Sequence, residues 1–522
     1  MALGGDWAIV LSAYAKWGEQ CGPYLLGDFA FAIWDASIRR LFCCRDHLAA
    51  QPFFYWYQAS RFIFAADPSP ILKVPGITRN LNRAKLAAMS VLGGKNLRDE
   101  ETFYSGILSL PAGSCMSVHR GGMRRWAYWD PESSPVSGPK RDEEVFEALR
   151  ELIFTSVRER IRNRKSVGAL LSGGLDSSSV VAVAAECLKK ENRSLVTLSS
   201  VMPEGSPAGL SDEREYIGEF RGWPNIRMEY CTAPGRGPFD HIEDAGFFES
   251  SFIRSSRYYL YEAFQEAGAA NSLDVILEGV GGELGPTCWG LDYFPELAVR
   301  LRWVTLAREL ARTRAVRGTH PIRLLGARLR RSLFPNRGFR PLLLFNAEFI
   351  RDCDARHVLV RHWPNHRRSQ LELLWLFRQK HANGNLSWPP PPIPFAYPFI
   401  DKRVVEFCIA APTRLKVRDG YERCLIRAAL DKILPSRIQW RTDKKPFAPD
   451  YFVRYNEQLP GARDFVAQIR PSDPVRSVVD VERLSRRLAP VDPLREDLDA
   501  LISIPGTIYL IAFLRQFAEF RQ

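Results

Sequence analysis

One stretch of ten residues carries the groups that could bind a phosphate. It runs from Leu170 to Ser179 and reads Leu-Leu-Ser-Gly-Gly-Leu-Asp-Ser-Ser-Ser. Gly173 and Gly174 permit positive φ angles and close backbone approach, so that amide N–H groups can surround an anion. Asp176 is the one carboxylate of the stretch, and beside a bound phosphate it can be a ligand of Mg²⁺. Further hydroxyl donors are Ser172, Ser177 and Ser178.

A strand and a helix must position this stretch. Val167 to Leu171 is an apolar run of strand length, and a helical pattern begins at Val180 and continues to about Lys190. The N-terminus of a helix adds partial positive charge and unpaired N–H groups, which favours an anion there. An ordinary strand–turn–helix joint is the alternative, but it does not explain why so many small donors and one acid collect at this point.

The stretch lacks the Gly-Lys-Ser/Thr of a Walker A loop. It resembles instead the pyrophosphate loop, S-G-G-x-D-S, of the ATP pyrophosphatases. The resemblance implies that ATP is cleaved between its α- and β-phosphates, that a carboxyl or carbonyl group is adenylated, and that pyrophosphate is released. It also implies nucleotide-binding roles for Leu171, Ser172, Gly173, Gly174, Asp176, Ser177 and Ser178.

Composition bounds the class of protein. A chain of 522 residues with 46% hydrophobic content is long enough for two or more domains with their own cores. The formal net charge of +13 favours an anionic partner such as a nucleotide, an acidic peptide or nucleic acid, without choosing among them. No run approaches the roughly 18 apolar residues of a membrane span, and the N-terminus lacks the features of a signal peptide. Ten scattered cysteines without a Cys-x-x-Cys pair argue against a zinc site and a disulfide framework, and predict a cytoplasmic protein.

Residues 1–130 read mainly as short strands separated by turn residues. Gly27 to Asp35 (Gly-Asp-Phe-Ala-Phe-Ala-Ile-Trp-Asp) and Arg45 to Tyr55 (Arg-Asp-His-Leu-Ala-Ala-Gln-Pro-Phe-Phe-Tyr) resemble the second half of the glutaminase domain of asparagine synthetases. Ala49 replaces the family's usual glycine, and we interpret His47 as a structural hydrogen-bonding residue. The resemblance implies an Ntn-type β domain.

The start of the chain departs from that family. An active glutaminase of this kind has a cysteine directly after the initiator Met, whereas residue 2 here is Ala and the first cysteine is Cys21. We therefore expect no hydrolysis of glutamine. Either the domain is a truncated structural remnant or the start was assigned too late, and the sequence does not separate these explanations.

The second half predicts a parallel sheet. A helix begins at Asp142, and Ser194 to Val201 is a second buried strand after the phosphate-binding stretch. Strand, helix and strand imply a right-handed crossover, and ligands of such sheets lie at the carboxyl ends of the strands. We expect ATP across these ends, with the adenine near Val201 and Met202.

A third segment, Val275 to Leu284 (Val-Ile-Leu-Glu-Gly-Val-Gly-Gly-Glu-Leu), resembles a strand end followed by the family's G-x-G-x-D turn. The resemblance implies a nucleotide contact at Gly279 and a second Mg²⁺ ligand at Glu283, which stands where relatives have Asp. The alternative for Glu283 is a plain surface acid. Val280 occupies a position that is acidic in asparagine synthetases and Tyr in β-lactam-forming relatives. Because valine cannot move protons, Val280 fits better with lasso-peptide cyclases, which resemble the same scaffold and vary here.

Two late segments continue the resemblance. Tyr397 to Phe407 resembles P-F-L-D-x-x-x-x-E-F, and Thr442 to Phe447 reads Thr-Asp-Lys-Lys-Pro-Phe. In relatives a lysine three residues before this aromatic reaches the α-phosphate and the acyl-adenylate. The resemblance therefore implies a catalytic role for Lys444, with Lys445 as the alternative, and a positioned ammonium group can neutralise the charge that develops there.

Residues 300–395 match the family least and contain a dense run of arginines. This run is either a solvated helix face or an electrostatic landing surface for an acidic peptide. Nucleic acid is disfavoured as a partner, because aromatic residues are not interleaved for base stacking. The arginines are Arg302, Arg308, Arg312, Arg314, Arg317, Arg323, Arg328, Arg330, Arg331, Arg337 and Arg340.

These segments predict an α/β protein of two parts. A truncated, degenerate glutaminase-like domain spans 1–130, a linker spans 131–141, and an asparagine synthetase-like domain with an adenine nucleotide α-hydrolase-like parallel sheet and a helical C-terminal part spans 142–522. The implied chemistry is amide formation through an acyl-adenylate, with ATP and Mg²⁺ bound.

Three functions stay open. The first is a cyclase of the lasso-peptide type, which closes a macrolactam in a precursor peptide and works with a leader-processing protease. The second is an asparagine synthase or related amidotransferase, and the third is a non-catalytic nucleotide-binding relative. The sequence does not indicate the oligomeric state.

Overall fold

The computed structural model describes residues 5–58, 61–88, 100–133, 141–244, 246–318, 320–333, 343–353, 364–382, 392–443 and 446–520. The N-terminal part begins with a helix and continues as seven strands with two short helices inserted. In chain order these are α1 (Gly5–Trp17), β1 (Ala30–Asp35), β2 (Arg40–Arg45), β3 (Phe54–Gln58), β4 (Arg61–Ala65), α2 (Pro68–Leu72), α3 (Arg83–Ala88), β5 (Ile107–Ser109), β6 (Ser114–His119) and β7 (Gly122–Ala127).

The seven strands form two antiparallel sheets. The order is β1-β2-β6-β7 in one sheet and β4-β3-β5 in the other. Alternation along β2 explains their packing, since Leu41 and Cys43 belong to the cluster between the sheets, whereas Phe42 and Cys44 face α1. The predicted β domain is therefore a layered structure of helix, sheet and sheet.

The parallel sheet lies in the second half of the chain. Its elements are α4 (Asp142–Ile161), β8 (Val167–Leu170), α5 (Leu175–Lys189), β9 (Leu195–Ser200), α6 (Arg214–Ile217), β10 (Ile226–Cys231), α7 (Tyr258–Ala270) and β11 (Val275–Leu277), with β12 (Phe395–Ala396) arriving much later in the chain. The strand order is β10-β9-β8-β11-β12, and every neighbouring pair is parallel. Strand β8 is central, so the stretch that follows it leaves the middle of the sheet.

The remainder is helical apart from one small hairpin. The helices are α8 (Tyr293–Val299), α9 (Trp303–Arg317), α10 (Pro321–Leu333), α11 (Ala347–Asp352), α12 (His366–Ala382), α13 (Lys402–Ala410), α14 (Cys424–Ala429), α15 (Ser436–Gln439), α16 (Tyr451–Ala467), α17 (Val481–Arg487) and α18 (Ile504–Leu514). The hairpin consists of β13 (Val417–Arg418) and β14 (Tyr421–Glu422). This arrangement confirms the predicted α/β fold class: an antiparallel N-terminal part, a parallel sheet and a helical C-terminal part.

The N-terminal and C-terminal parts share one apolar core. Phe103 packs against Phe252 and Phe513, with ring centroids 4.9 and 5.7 Å away, and Tyr104 stacks on Phe517 at 5.4 Å. A second contact lies beyond β7, where the indole N–H of Trp129 donates to Glu406 at 2.6 Å. The described part of the chain contains no helix that is both long and apolar enough to cross a bilayer.

His47 belongs to this second contact. Its ring is buried and meets the rings of Tyr128 and Trp129 edge-on, at centroid distances of 5.1 and 5.3 Å. Burial lowers the pKa of the imidazole to about 3, so the ring is neutral. Its Nε2 atom has no hydrogen-bond partner among the described residues. His47 was interpreted as a structural hydrogen-bonding residue, and in the structure its main contacts are with aromatic rings.

Candidate active site

The loop after β8 folds back over the first turn of α5. The backbone N–H of Leu171 still donates to the carbonyl of Leu198 at 2.9 Å, and Gly173 then turns the chain with a φ of +68°. The N–H of Ser172 donates to Oγ of Ser177 at 3.0 Å, and the two hydroxyl oxygens are 2.9 Å apart. The predicted residues therefore form one tight turn at the carboxyl end of the central strand.

Two small residues complete the turn. The carbonyl of Gly174 accepts the N–H of Ser178 at 3.0 Å as α5 begins. The hydroxyl of Ser178 is fully buried and has no hydrogen-bond partner among the described residues. A buried orphan hydroxyl beside a phosphate-type loop can be satisfied by a ligand oxygen or by water.

A buried ion pair that was not predicted from the sequence stabilises the loop. Arg441 donates to both carboxylate oxygens of Glu213, at 2.7 and 3.1 Å, and to the carbonyl of Gly173 at 2.8 Å. Its guanidinium lies 3.5 Å from the ring centre of Tyr216. A planar five-donor guanidinium suits this position, because it can bind one carboxylate through two bonds while it holds a backbone oxygen and stacks on a ring.

Arg441 and Tyr216 also bind the segment that leads to the predicted lysine. Lys444 and Lys445 lie outside the described residues. Asp443, which precedes them, accepts from the hydroxyl of Tyr216 at 3.3 Å, and its carbonyl accepts from Nε of Arg441 at 3.0 Å. The segment before Lys444 is thus bound to the same residues that hold the loop, and the role of Lys444 stays a prediction.

Asp176 and Glu283, the two predicted metal ligands, are brought to one guanidinium. Nη1 of Arg423 lies 3.5 Å from Asp176, and Nη2 lies 3.9 Å from Glu283. Arg423 also stacks on Trp289 at 4.1 Å, and the hydroxyl of Thr287 donates to the other oxygen of Asp176. Arg423 was not predicted as a site residue, and it reaches the site through the β13–β14 hairpin that precedes it.

Two glycines allow these carboxylates to approach. A Cβ on Gly279 would lie 2.8 Å from the carbonyl carbon of Asp176 and 2.9 Å from the nitrogen of Ser177, both of which are backbone atoms. A Cβ on Gly282 would collide with the carboxylate of Asp176 and lie 2.7 Å from Thr287 Oγ1. The turn after β11 therefore packs directly on the N-terminus of α5, as only glycine permits.

The donor set fits Mg²⁺ that shares its coordination with substrate. Asp176 and Glu283 both contact one cation, the Arg423 guanidinium, so a positive charge is stable between them. The described residues contain no group of three or more His, Cys, Asp or Glu side chains placed to hold a metal. Mg²⁺ is usually bound by one or two carboxylates together with phosphate oxygens and water, which matches this pair.

A buried carboxyl lies at the end of β11. Glu278 is 9% exposed, and its side chain accepts the hydroxyl hydrogen of Tyr261 from α7 at 2.8 Å. Burial raises the pKa of Glu278 to about 7, against a smaller lowering by the Tyr261 hydrogen bond. A carboxyl that titrates near neutrality at the carboxyl edge of a parallel sheet can exchange protons with a bound ligand. Glu278 was not predicted as a site residue, because the resemblance associates proton transfer with the position of Val280, two residues later.

The remaining predicted contacts are apolar. Val201 and Met202 follow β9 with their side chains 3% and 7% exposed, so Val201 offers mainly backbone atoms to a ligand. Val280 packs against the buried cluster that contains Leu284 and Ile400. No titratable group stands at the Val280 position, and Glu278 is the carboxyl of this strand end.

Comparison with known proteins adds the family. The model of the asparagine synthase family matches residues 148–493, and that of the glutamine amidotransferase domain matches residues 3–129. Asparagine synthetase [glutamine-hydrolyzing] 3 of Bacillus subtilis is 24% identical over 98% of this chain and 80% of its own length. Asparagine synthetase [glutamine-hydrolyzing] 2 of the same organism is 22% identical over 87% of this chain and 60% of its own length.

Another relative has a different name. Amidase chry2 of Gibberella zeae is 26% identical over 53% of this chain and 42% of its own length. The asparagine synthase match covers well over half of the chain and contains the loop, the acid pair and both bracing residues. The protein therefore belongs to the asparagine synthase family and is an asparagine synthase-like ligase that forms amide bonds with ATP.

Proposed function

We propose that this ligase activates a side-chain carboxylate of a peptide as an acyl-adenylate and joins it to an amine of the same peptide, which closes a macrolactam of the lasso type. The observation that carries the chemistry is the meeting of the loop after β8 with Asp176 and Glu283 around one guanidinium. The loop suits a polyphosphate, and the acid pair suits its counter-cation.

In the first step a substrate carboxylate oxygen attacks the α-phosphorus of ATP. A new P–O bond forms, the bond between the α-phosphorus and the bridging oxygen breaks, and pyrophosphate leaves. The N–H groups and hydroxyls from Ser172 to Ser178 hold the departing phosphates, and Lys444 neutralises their charge. Asp176 and Glu283 would hold Mg²⁺, which when bound offsets phosphate charge.

In the second step the amine attacks the carbonyl carbon of the acyl-adenylate. The C–N bond forms, the C–O bond to phosphate breaks, and AMP leaves. The nitrogen must lose a proton, and Glu278 is the carboxyl placed at this strand end to accept it, with Tyr261 fixing its orientation. Apart from these groups, positioning contributes most of the rate.

Two features support a peptide as substrate. Val280 puts an apolar side chain, packed on a buried cluster, at the position where an acidic or phenolic group would serve a small polar substrate. The exposed arginines of α9 and α10 suit an acidic chain. A leader-processing protease as partner follows from the same proposal.

A second candidate function is the synthesis of asparagine from aspartate and an ammonia donor. The observation that favours it is the similarity to a Bacillus subtilis asparagine synthetase along 98% of this chain. The same loop, acid pair and lysine would serve this reaction, and the two candidates differ in the carboxylate and the amine.

Pyrophosphate release from Mg·ATP tests the proposal. We expect release with a candidate precursor peptide and none with aspartate plus ammonia. Asp176→Asn should lose release by at least a hundredfold, because it removes one charge of the acid pair. Asp352→Asn changes an exposed aspartate of α11 in the same chemical way and should leave release unchanged.

Release with aspartate and ammonia alone would overturn the cyclase in favour of asparagine synthesis. If no carboxylate and amine pair supports release, the chain is a nucleotide-binding relative without this activity. Equal release from wild type and Asp176→Asn would refute the assigned site.

A further inference from the structure

A basic helical hairpin, α9 with α10, lies beside the site and takes no part in the two steps above. The segment from Arg300 to Leu333 contains ten arginines and a single acid, Glu309. An excess of this kind on a helix often marks only a solvated face. Three further features indicate a binding surface. They are the ion pairing of the arginines, the apolar side chains between them and the link of the hairpin to the site.

Half of these arginines have no acidic partner among the residues that the structure describes. Arg312 pairs with Glu309 and Asp419, at 3.1 and 2.7 Å, and Arg317 pairs with Glu422. Five others are exposed and form no ion pair with any acid of the described residues. These are Arg302, Arg308, Arg314, Arg323 and Arg330.

Apolar side chains are exposed between the unpaired arginines. Val304 and Ile322 are 74% and 75% exposed, and Trp303 is 56% exposed. On α9, Val304 begins an exposed stripe at helical spacing that continues through Ala307, Ala311 and Ala315. A contiguous apolar stripe between cations is costly to leave in water and is typical of a surface that binds another chain.

The hairpin also supports the residue that joins the two metal-binding acids. Gly420, with a φ of +85°, lies so close to α9 that a Cβ there would collide with the backbone carbonyl of Arg312. The ion pairs of Asp419 and Glu422 hold the same β13–β14 hairpin against α9. Arg423 follows directly, so the basic surface is attached to the wall of the site.

We propose that the outward face of α9 and α10 is a docking surface for an acidic, amphipathic segment of the peptide substrate. The surface, named here the arginine hairpin, consists of the five unpaired arginines with Val304, Ile322 and the alanine stripe. Acidic side chains pair with the arginines, apolar side chains cover the stripe, and the reacting part of the same peptide then lies beside Asp176 and Glu283.

The occupant follows from charge and position. Among the described residues of the hairpin, Trp303 is the one exposed aromatic, which is too few for a nucleic acid that stacks its bases. Because α9 contacts the β13–β14 hairpin, which leads to the site, a polypeptide substrate bound at this surface can also reach the reaction centre. This inference rests on the proposed function, because it assumes a polypeptide substrate.

Direct binding tests the surface without catalysis. The probe is a short fluorescein-labelled peptide of glutamate and leucine at helical spacing, with a lysine and leucine peptide of the same pattern as control. We expect fluorescence anisotropy to show binding of the acidic probe alone, and weaker binding as ionic strength rises. The triple variant Arg302→Glu, Arg308→Glu, Arg314→Glu should weaken binding about tenfold or more.

A matched triple variant, Arg120→Glu, Arg162→Glu, Arg221→Glu, reverses three exposed arginines elsewhere that form no ion pair within the described part of the chain, and it should bind the probe like wild type. Val304→Ser keeps every charge and should weaken binding through the stripe alone. Equal losses of probe affinity in both triple variants would refute the docking surface and show that binding follows the net charge of the protein. Tighter binding to a single-stranded oligonucleotide or to anionic phospholipid vesicles than to the probe would overturn the occupant.

The outcome separates the two proposals. Binding of the probe at the arginine hairpin, in a protein that releases no pyrophosphate with any peptide, would refute the proposed function and leave the surface. Peptide-dependent release that is unchanged in KM by the hairpin triple variant would refute the surface and leave the function.

Discussion

At the scale of single residues, Glu278 is a carboxyl for which stability and function favour different protonation states. Burial favours the protonated form, whereas the proposed base must be ionised. Its unfolded pKa is near 4.5 and burial raises the folded pKa to about 7. Between these values the unfolded chain loses the proton and the folded chain retains it, so stability falls as pH rises from about 4.5 to 7. The loss approaches about 3 kcal/mol and is constant above that range.

Glu278→Gln should remove this dependence, because the amide keeps the oxygen that Tyr261 binds but cannot ionise. We expect the Tm of the variant, relative to wild type, to rise between pH 5 and pH 8. The catalytic rate of wild type should fall below about pH 7, where Glu278 is protonated, and the variant should lack this limb. Glu204→Gln, at an exposed glutamate, should follow wild type in both measurements. A constant Tm difference across the pH range would contradict the assignment.

The residues of the site fall into two groups: those that lie in short sequence motifs and those that tertiary packing brings to the site. Those from the loop and from the turn after β11 belong to two short motifs, and the resemblance of these motifs to the family implied that Asp176 and Glu283 share a site. Arg423 and Arg441 reach the site across more than two hundred residues of intervening chain, and Arg441 then pairs with Glu213. Ion pairs over such separations depend on tertiary packing, so no local pattern indicates them.

At the scale of elements, the periodicity of apolar residues and the positions of turn residues predicted the helices and strands that local sequence determines. The strand-rich character of residues 1–130 and the positions of β8, α5 and β9 agree with the apolar runs and turn residues of the sequence. Strands β10 and β12 were not predicted. Strand β10 is polar for its length, and β12 is a two-residue edge strand whose pairing with β11 supplies its identity.

The contact between the β11 turn and α5 makes an element-scale prediction. Gly279→Ala places a methyl group against two backbone atoms of α5 that cannot move aside cheaply. We expect pyrophosphate release to fall at least tenfold and the Tm to drop, since the turn must withdraw from Asp176 and the acid pair must separate. Differential scanning fluorimetry and the release assay measure both effects.

Gly461→Ala is the matched control for this change. Gly461 lies inside α16, and a Cβ there meets no atom within 4 Å. Alanine has the higher helix propensity, so this variant should be neutral or more stable by up to about 1 kcal/mol. Similar losses in the two variants would show that the close approach of β11 and α5 is not what Gly279 provides.

At the scale of the whole molecule, the two parts of the chain are joined by an interface like an interior. Phe103 contacts Phe252 and Phe513 within the core that α18 completes. Polar bonds surround these rings, among them Arg79 with Glu249 at 2.7 Å and Ser250 with Asp67 at 2.6 Å. Apolar interfaces of this kind suppress the independent domain motion that is common between loosely joined domains.

We therefore expect one cooperative unfolding transition in calorimetry, with the N-terminal sheets and the parallel sheet melting together. Phe103→Ala should cost about 3–5 kcal/mol and, because it empties the shared core, should separate the transition into two. Phe42→Ala removes a ring of the same size between β2 and α1, inside the N-terminal part alone. It should destabilise that part and leave Phe103 in its contacts. Two transitions in wild type, or a single one in Phe103→Ala, would show that the shared core does not couple the parts.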